Sequence, residues 1–242
     1  MPRLQQKQFT VIIDTNSYIF LNNAVVSFGG KDYRVFKILE KKSTVRCSQE
    51  VIKEMRRHHN LYPPVAKKEK MEYQFSNNAF TDYSLKVFNR DISNDSSDKG
   101  EMCNFLVMLD LFLTKKYGNL ILLTDDKSAQ RKAKVLGDVL DIYQIGQVWS
   151  SYDVIVHLYL VATPKEQFYF DVAVLALREL NSCKIDFESR TETNKQNKGQ
   201  LTKIQYDTNI RKIKEKYTKE LGENIKRLNA IKSLKNEVSE TW

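Results

Sequence analysis

The stretch Phe9-Thr10-Val11-Ile12-Ile13-Asp14-Thr15-Asn16 sets an apolar, β-branched run against one acid and two small polar residues. Such a run reads as a buried strand that stops where Asp14 introduces a charge. Leu120-Ile121-Leu122-Leu123-Thr124-Asp125-Asp126 repeats the pattern more than a hundred residues later. Continuous apolar runs of this length, without polar alternation, suit strands buried on both faces of a parallel sheet. Thr44-Val45-Arg46-Cys47 reads as a further short strand and Val139–Ile145 as another. Helical patterns lie between them. Ser48 caps a helix from Gln49 toward His59, and a long helix opens near Lys99–Glu101 with Phe105, Leu106, Leu109, Phe112 and Leu113 on its apolar face. Ser128–Leu136 reads as a basic helix, and Ser17–Lys42 as helix and loop. Strands alternating with helices predict an α/β fold with a central parallel sheet and helices on both faces. Ligands of such folds sit outside the carboxyl ends of the strands, and two strands here deliver acids to that edge.

The acids at element ends are therefore the candidate site: Asp14, Glu54, Asp98, Glu101, Asp125 and Asp126. Gathering carboxylates costs energy, because like charges within about 4–6 Å suppress one another's ionisation. A hard divalent cation reverses that sign. An acidic pocket without His or Cys ligands suits Mg²⁺ or Mn²⁺ rather than Zn²⁺. Carboxylate-held Mg²⁺ favours attack on a phosphodiester, whose backbone the surrounding Lys and Arg would hold.

Val11-Ile12-Ile13-Asp14-Thr15-Asn16, then Ser48 through Glu54-Met55, then Gly100-Glu101, then Leu122-Leu123-Thr124-Asp125-Asp126, in that order, resemble the PIN-domain nucleases. The helix after the last motif, Asp125-Asp126-Lys127-Ser128-Ala129-Gln130-Arg131-Lys132-Ala133, is similar to the branch with an Asp-Asp…Ala-x-x-x-Ala helix. The resemblance covers about residues 8–145 and extends more weakly over the helices at 150–184. It implies a three-layer α/β/α nuclease domain spanning residues 1–187 that hydrolyses RNA with Mg²⁺ or Mn²⁺, as a toxin or defence effector partnered by an inhibitor. Asp14, Glu54 and Glu101 match the first three acids. Asp125 or Asp126 matches the fourth, with the Thr-x-Asp spacing favouring Asp126, and Asp98 competes with Glu101 for the metal. Thr124 and Asn16 match polar groups that orient ligands or water. Arg56, Arg57, Lys127, Arg131 and Lys132 are the candidate nucleic-acid contacts. Two other readings stay open: a non-catalytic nucleic-acid-binding or scaffold module, and a nuclease acting on DNA or flap structures. Nothing in the residues reads the 2′-OH, so RNA over DNA follows from the resemblance alone.

Composition bounds these readings. The 242 residues carry 39 Lys+Arg against 30 Asp+Glu, a net charge of +9, which fits a polyanion partner. Cys47, Cys103 and Cys183 are odd in number and far apart, so they form neither a disulfide framework nor a metal knuckle. No apolar run is long enough to span a membrane, and Met1–Phe9 lacks the features of a signal peptide, so a soluble, cytoplasmic protein is expected. Residues 188–242 hold 13 Lys+Arg and 8 Asp+Glu. They divide into a polar stretch at Arg190–Gly199, expected to be a mobile linker, and an amphipathic helix over Leu201–Val238. Its stripe of Ile204, Ile213, Tyr217, Leu221, Ile225, Leu228, Ile231 and Leu234 suits a homodimer contact or an inhibitor or complex partner through residues 200–238.

Overall fold

In the computed structural model, which describes residues 9–57, 71–75, 99–114, 119–126, 146–163 and 168–240, the first apolar run is strand β1 (Phe9–Ile13). The remaining elements follow as helix α1 (Thr15–Asn23), strands β2 (Val25–Phe28) and β3 (Lys31–Arg34), helix α2 (Val35–Lys42), strand β4 (Thr44–Arg46) and helices α3 (Gln49–Arg57) and α4 (Lys99–Leu113). Then come strands β5 (Asn119–Leu123) and β6 (Gly146–Trp149) and helices α5 (Ser151–Val161), α6 (Phe170–Asn197) and α7 (Lys203–Glu240). The fold is mixed α/β around a four-stranded parallel sheet of order β4-β1-β5-β6. Chain contacts divide the molecule into two compact units: Met1–Ile19 with Leu39–Ser151, and Phe20–Ile38 with Tyr152–Trp242.

The first unit holds the sheet. Its register pairs Ile13 with Leu123, so β1 and β5 end level at their carboxyl edge. Ile12, Leu120 and Leu122 point to one face and pack with Phe105, Val107, Met108 and Leu111 of α4. The alternate residues Val11, Ile13, Ile121 and Leu123 are also buried. Burial on both faces explains the unbroken apolar runs and is consistent with a three-layer α/β/α arrangement. Gly146 opens β6 where a β-carbon would meet the Leu120 carbonyl and the Met108 side chain, so only glycine lets β6 lie this close.

The second unit contains a two-stranded antiparallel ribbon, β2 and β3, inside the stretch expected to be helix and loop. The signal was present in Gly29-Gly30, whose φ values of 58° and 71° make the two-residue turn that antiparallel hairpins prefer. The long helices α6 and α7 pair as a helical hairpin. Asn209 donates to Glu192, while Tyr217 and Lys216 donate to Glu188, a register that runs antiparallel. Ile213, Tyr217 and Leu228 of the expected stripe are buried, whereas Ile204 (80% exposed) and Leu234 face solvent. Nearer the base of the hairpin, Arg227 pairs with Asp153 at 2.7 Å, and Lys235 donates to the Tyr159 carbonyl at the end of α5.

The linker expectation fails here. Residues 190–197 are the last two turns of α6, so the boundary drawn at 187/188 falls inside a helix. A stretch without apolar residues stays helical because its polar side chains dock on α7: Glu192 on Asn209, and Thr193 against the Tyr206 hydroxyl. The strand expected at Val139–Ile145 and the helix at Ser128–Leu136 lie outside the described residues. Among the described residues no helix is long and apolar enough to cross a membrane.

Candidate functional site

Where β1 and β5 end, the backbone joins them once more: the Asp14 N–H donates to the Leu123 carbonyl at 3.1 Å. Asp14 then starts α1. Its Oδ1 accepts the Ser17 N–H at 2.6 Å and its carbonyl accepts the Tyr18 N–H, so the side chain is the N-cap of that helix. Capping and burial act on the same group, for Asp14 is only 7% exposed. Burial and the nearby Asp125 charge push its pKa up to about 6, against hydrogen bonds from the Thr124 and Ser17 side chains and the Ser17 backbone, which pull it down. The carboxylate is therefore held in place by donors yet poorly stabilised as an anion.

Asp125 faces it from the end of β5. Its carboxylate accepts the Ser17 hydroxyl at 2.8 Å, the Ser151 N–H at 3.2 Å and the Ser151 hydroxyl in a very short bond. Ser17 thus donates to both acids, through its N–H to Asp14 and its hydroxyl to Asp125. The Thr124 hydroxyl, buried at the strand end, accepts the Asp126 N–H at 3.2 Å and bonds to Asp14. The Thr-x-Asp spacing favoured Asp126; the acid whose charge acts on Asp14 is Asp125. Asp126 is half-buried at the next position.

A third acid approaches from α3. Thr15, one residue after Asp14, donates its hydroxyl to Glu54 Oε2 at 2.6 Å. Glu54 also lies against Gly100 in the first turn of α4, where a β-carbon would stand 2.6 Å from Oε1. Glu50, on the same face of α3, instead forms an exposed pair with Lys53 at 2.7 Å. Behind the acids, the buried Asn104 amide ties three elements together. Its Nδ2 donates to the Ile13 carbonyl and its Oδ1 accepts the Ser48 N–H, both at 2.8 Å, which fixes α4 to the end of β1 and the start of α3.

The structure thus brings Asp14, Asp125, Thr124 and Glu54 to one edge through hydroxyl and amide donors. Asn16 sits half-buried in the first turn of α1 and makes no hydrogen bond to these acids among the described residues. Glu101 follows Gly100 in α4, though its side chain is outside those described, and Arg56 is exposed on α3. The Arg57 side chain, Asp98, Lys127, Arg131 and Lys132 also lie outside the described residues. Ser17, Ser151 and Asn104 were missed in the sequence. Ser151 carried a legible signal, a serine opening the helical run Tyr152–Val161, and the other two carried none.

Among the described residues no three His, Cys, Asp or Glu side chains lie close enough together to hold a metal ion. The pair Asp14 and Asp125 nevertheless has the donor chemistry of a hard cation. Mg²⁺ is commonly held by one or two carboxylates plus waters, and the repulsion of a buried carboxylate by a half-buried one is what such an ion relieves. Comparisons with protein-family models, with curated proteins and with solved structures give no match for this chain.

Proposed function

We propose that the acidic edge is the active site of a divalent-metal-dependent endoribonuclease of the PIN-domain kind. One observation carries the reading: Asp14 is buried beside Asp125 at the carboxyl edge of a parallel sheet, with its pKa pushed up to about 6. A site evolved only to cap α1 has no need of a second carboxylate against the first.

Asp14 and Asp125 would hold Mg²⁺ or Mn²⁺, with Glu54 beside them and Glu101 or Asp98 completing the set that the resemblance implies. Such an ion, when bound, supplies an activated water and neutralises phosphate charge. The chain's own groups do the positioning. Ser17 fixes both carboxylates through one residue, Thr124 holds Asp14 from the strand end, and Thr15 fixes the Glu54 carboxylate. In the metal-free protein Asp14 retains a proton up to about pH 6, and it would have to give that proton up to hold a cation. Arg56 and Arg57 on α3, with Lys127, Arg131 and Lys132, would bind the phosphate backbone. The preference for RNA follows the family resemblance, as does a toxin or defence role with an inhibitor partner.

The test is cleavage of mixed RNA with Mn²⁺, with EDTA, and with Asp14→Asn, alongside single-stranded DNA and duplex. Asparagine caps helices about as well as aspartate, so this variant removes the charge and keeps α1 capped. Metal-dependent RNA cleavage lost in Asp14→Asn supports the reading; cleavage that persists in that variant removes it. A non-catalytic module is favoured by one observation, the lack of a three-acid cluster among the described residues, and it predicts binding without cleavage in every arm.

A further inference from the structure

The tip of the α6–α7 hairpin carries charge that the acidic edge does not use. Residues 190–214 hold seven Lys and Arg against two acids, a surplus of five in a chain whose total is +9. One of those acids, Glu192, is already engaged: Lys195 at 2.7 Å and Asn209 at 2.6 Å hydrogen-bond its carboxyl and hold it below the usual range. Arg190, Lys198, Lys203, Lys212 and Lys214 are exposed and pair with no acid among the described residues. The exposed amides of Asn194, Asn197 and Gln200 lie among them.

The tip is also fixed in shape. Gly199, at φ 70°, turns the chain, and its N–H donates to the Gln196 carbonyl. Thr202 and Gln205 then cap α7 reciprocally: the Gln205 N–H reaches the Thr202 hydroxyl and the Thr202 N–H reaches Gln205 Oε1. The cations are therefore held on two helix ends and a short turn. From Lys203 to Lys214 the helix rises about 16 Å, matching about five phosphates along one strand of a duplex.

We infer that this hairpin tip binds the phosphate backbone of a nucleic acid without reading its bases. The aromatic side chain available there, Tyr206, is half-buried with its hydroxyl against Thr193, so it is not a stacking platform. An anionic membrane is the less fitting partner, because Ile204 is the one strongly exposed large apolar residue among residues 190–214. The assignment goes beyond the nuclease reading and needs no cleavage, so the two fail separately.

The experiment uses the full chain in EDTA, with labelled RNA and DNA of equal length, read by fluorescence anisotropy over a salt series. Phosphatidylserine vesicles form a further arm. Lys198→Gln with Lys203→Gln and Lys214→Gln should weaken RNA and DNA binding alike, at least tenfold near physiological salt, and lower the log–log salt slope by about 2. Circular dichroism should be unchanged. The exposed lysines of Lys31→Gln with Lys219→Gln and Lys226→Gln remove the same charge elsewhere and should leave affinity within about threefold. Equal loss in both triple variants, no loss in the tip variant, or vesicle binding that the tip variant abolishes while nucleic-acid binding persists would each overturn the assignment.

Discussion

Gly100 lies directly against Glu54: a β-carbon at residue 100 would stand 2.6 Å from Glu54 Oε1 and 3.1 Å from its carboxyl carbon. The glycine is needed for access rather than for backbone freedom. Since the atom met is the far end of a flexible side chain, Gly100→Ala displaces the carboxylate without unfolding the protein. Alanine also favours helix by about 0.5–1 kcal/mol over glycine. The variant should melt at or slightly above the parent temperature, yet lose at least tenfold in the proposed Mn²⁺-dependent RNA cleavage. A melt and a cleavage assay on one preparation separate the two effects, and parental cleavage would show that the Glu54 position is not critical.

Asp14 makes a pH prediction with a definite sign. Its folded pKa of about 6 lies above the ordinary 3.8, so the folded protein binds the extra proton between those values. Below pH 3.8 the group adds no penalty, and as pH rises through about 6 the metal-free protein loses stability on the order of 3 kcal/mol. Asp14→Asn has no such titration. In EDTA, the stability of this variant relative to the parent should therefore grow from near zero at the acid end to a clear gain at neutral pH. Urea melts across that range measure it, and a flat difference would mean that Asp14 ionises normally. Adding Mn²⁺ at neutral pH should raise the parent's melting temperature and leave that of Asp14→Asn unmoved.

Ser17 and Ser151 both donate to Asp125, and Ser17 also serves Asp14. Ser17→Ala and Ser151→Ala each remove one hydroxyl bond to a carboxylate, a loss of about 1.5–3 kcal/mol. The double variant should depart from the sum of the single ones, because each hydroxyl can take up part of the other's loss and the double variant removes both. Chemical denaturation of the four proteins gives the coupling energy, and strict additivity would argue that the two hydroxyls act on Asp125 independently.

Asn104 is 1% exposed, and its amide satisfies two backbone groups at 2.8 Å each. Leucine is similar in volume but satisfies neither the Ser48 N–H nor the Ile13 carbonyl. Asn104→Leu should cost about 2–5 kcal/mol, more than a surface change would. A loss of unfolding free energy of less than about half of that would place the two groups in contact with water.

The centre of the sheet was legible because apolar runs buried on both faces leave a mark that needs no alignment, and β1 and β5 fall where their residues place them; the short β4 (Thr44–Arg46), with Val45 alone buried, falls inside its expected stretch, while β6 (Gly146–Trp149) was not expected. Asp14 and Asp125 were legible for the same reason, as polar stops to those runs. What escaped was set by distant partners. Ser17 and Asn104 matter through bonds to residues 108 and 91 positions away, and neither a lone serine nor a lone asparagine announces that. The β2–β3 ribbon was hidden by reading the residues around Gly29-Gly30 as loop, although that pair is itself a turn signal. The last turns of α6 look like linker in composition and are helix because α7 supplies polar partners.

The latch of Ser151 on Asp125 has a consequence for a protein emerging from the ribosome. Asp14 is translated long before its opposing acid, and the serine that seats that acid follows 26 residues later still. A nascent chain therefore carries the early pieces of the acidic edge with no partner to close it, and prematurely terminated products ending before Ser151 cannot assemble it.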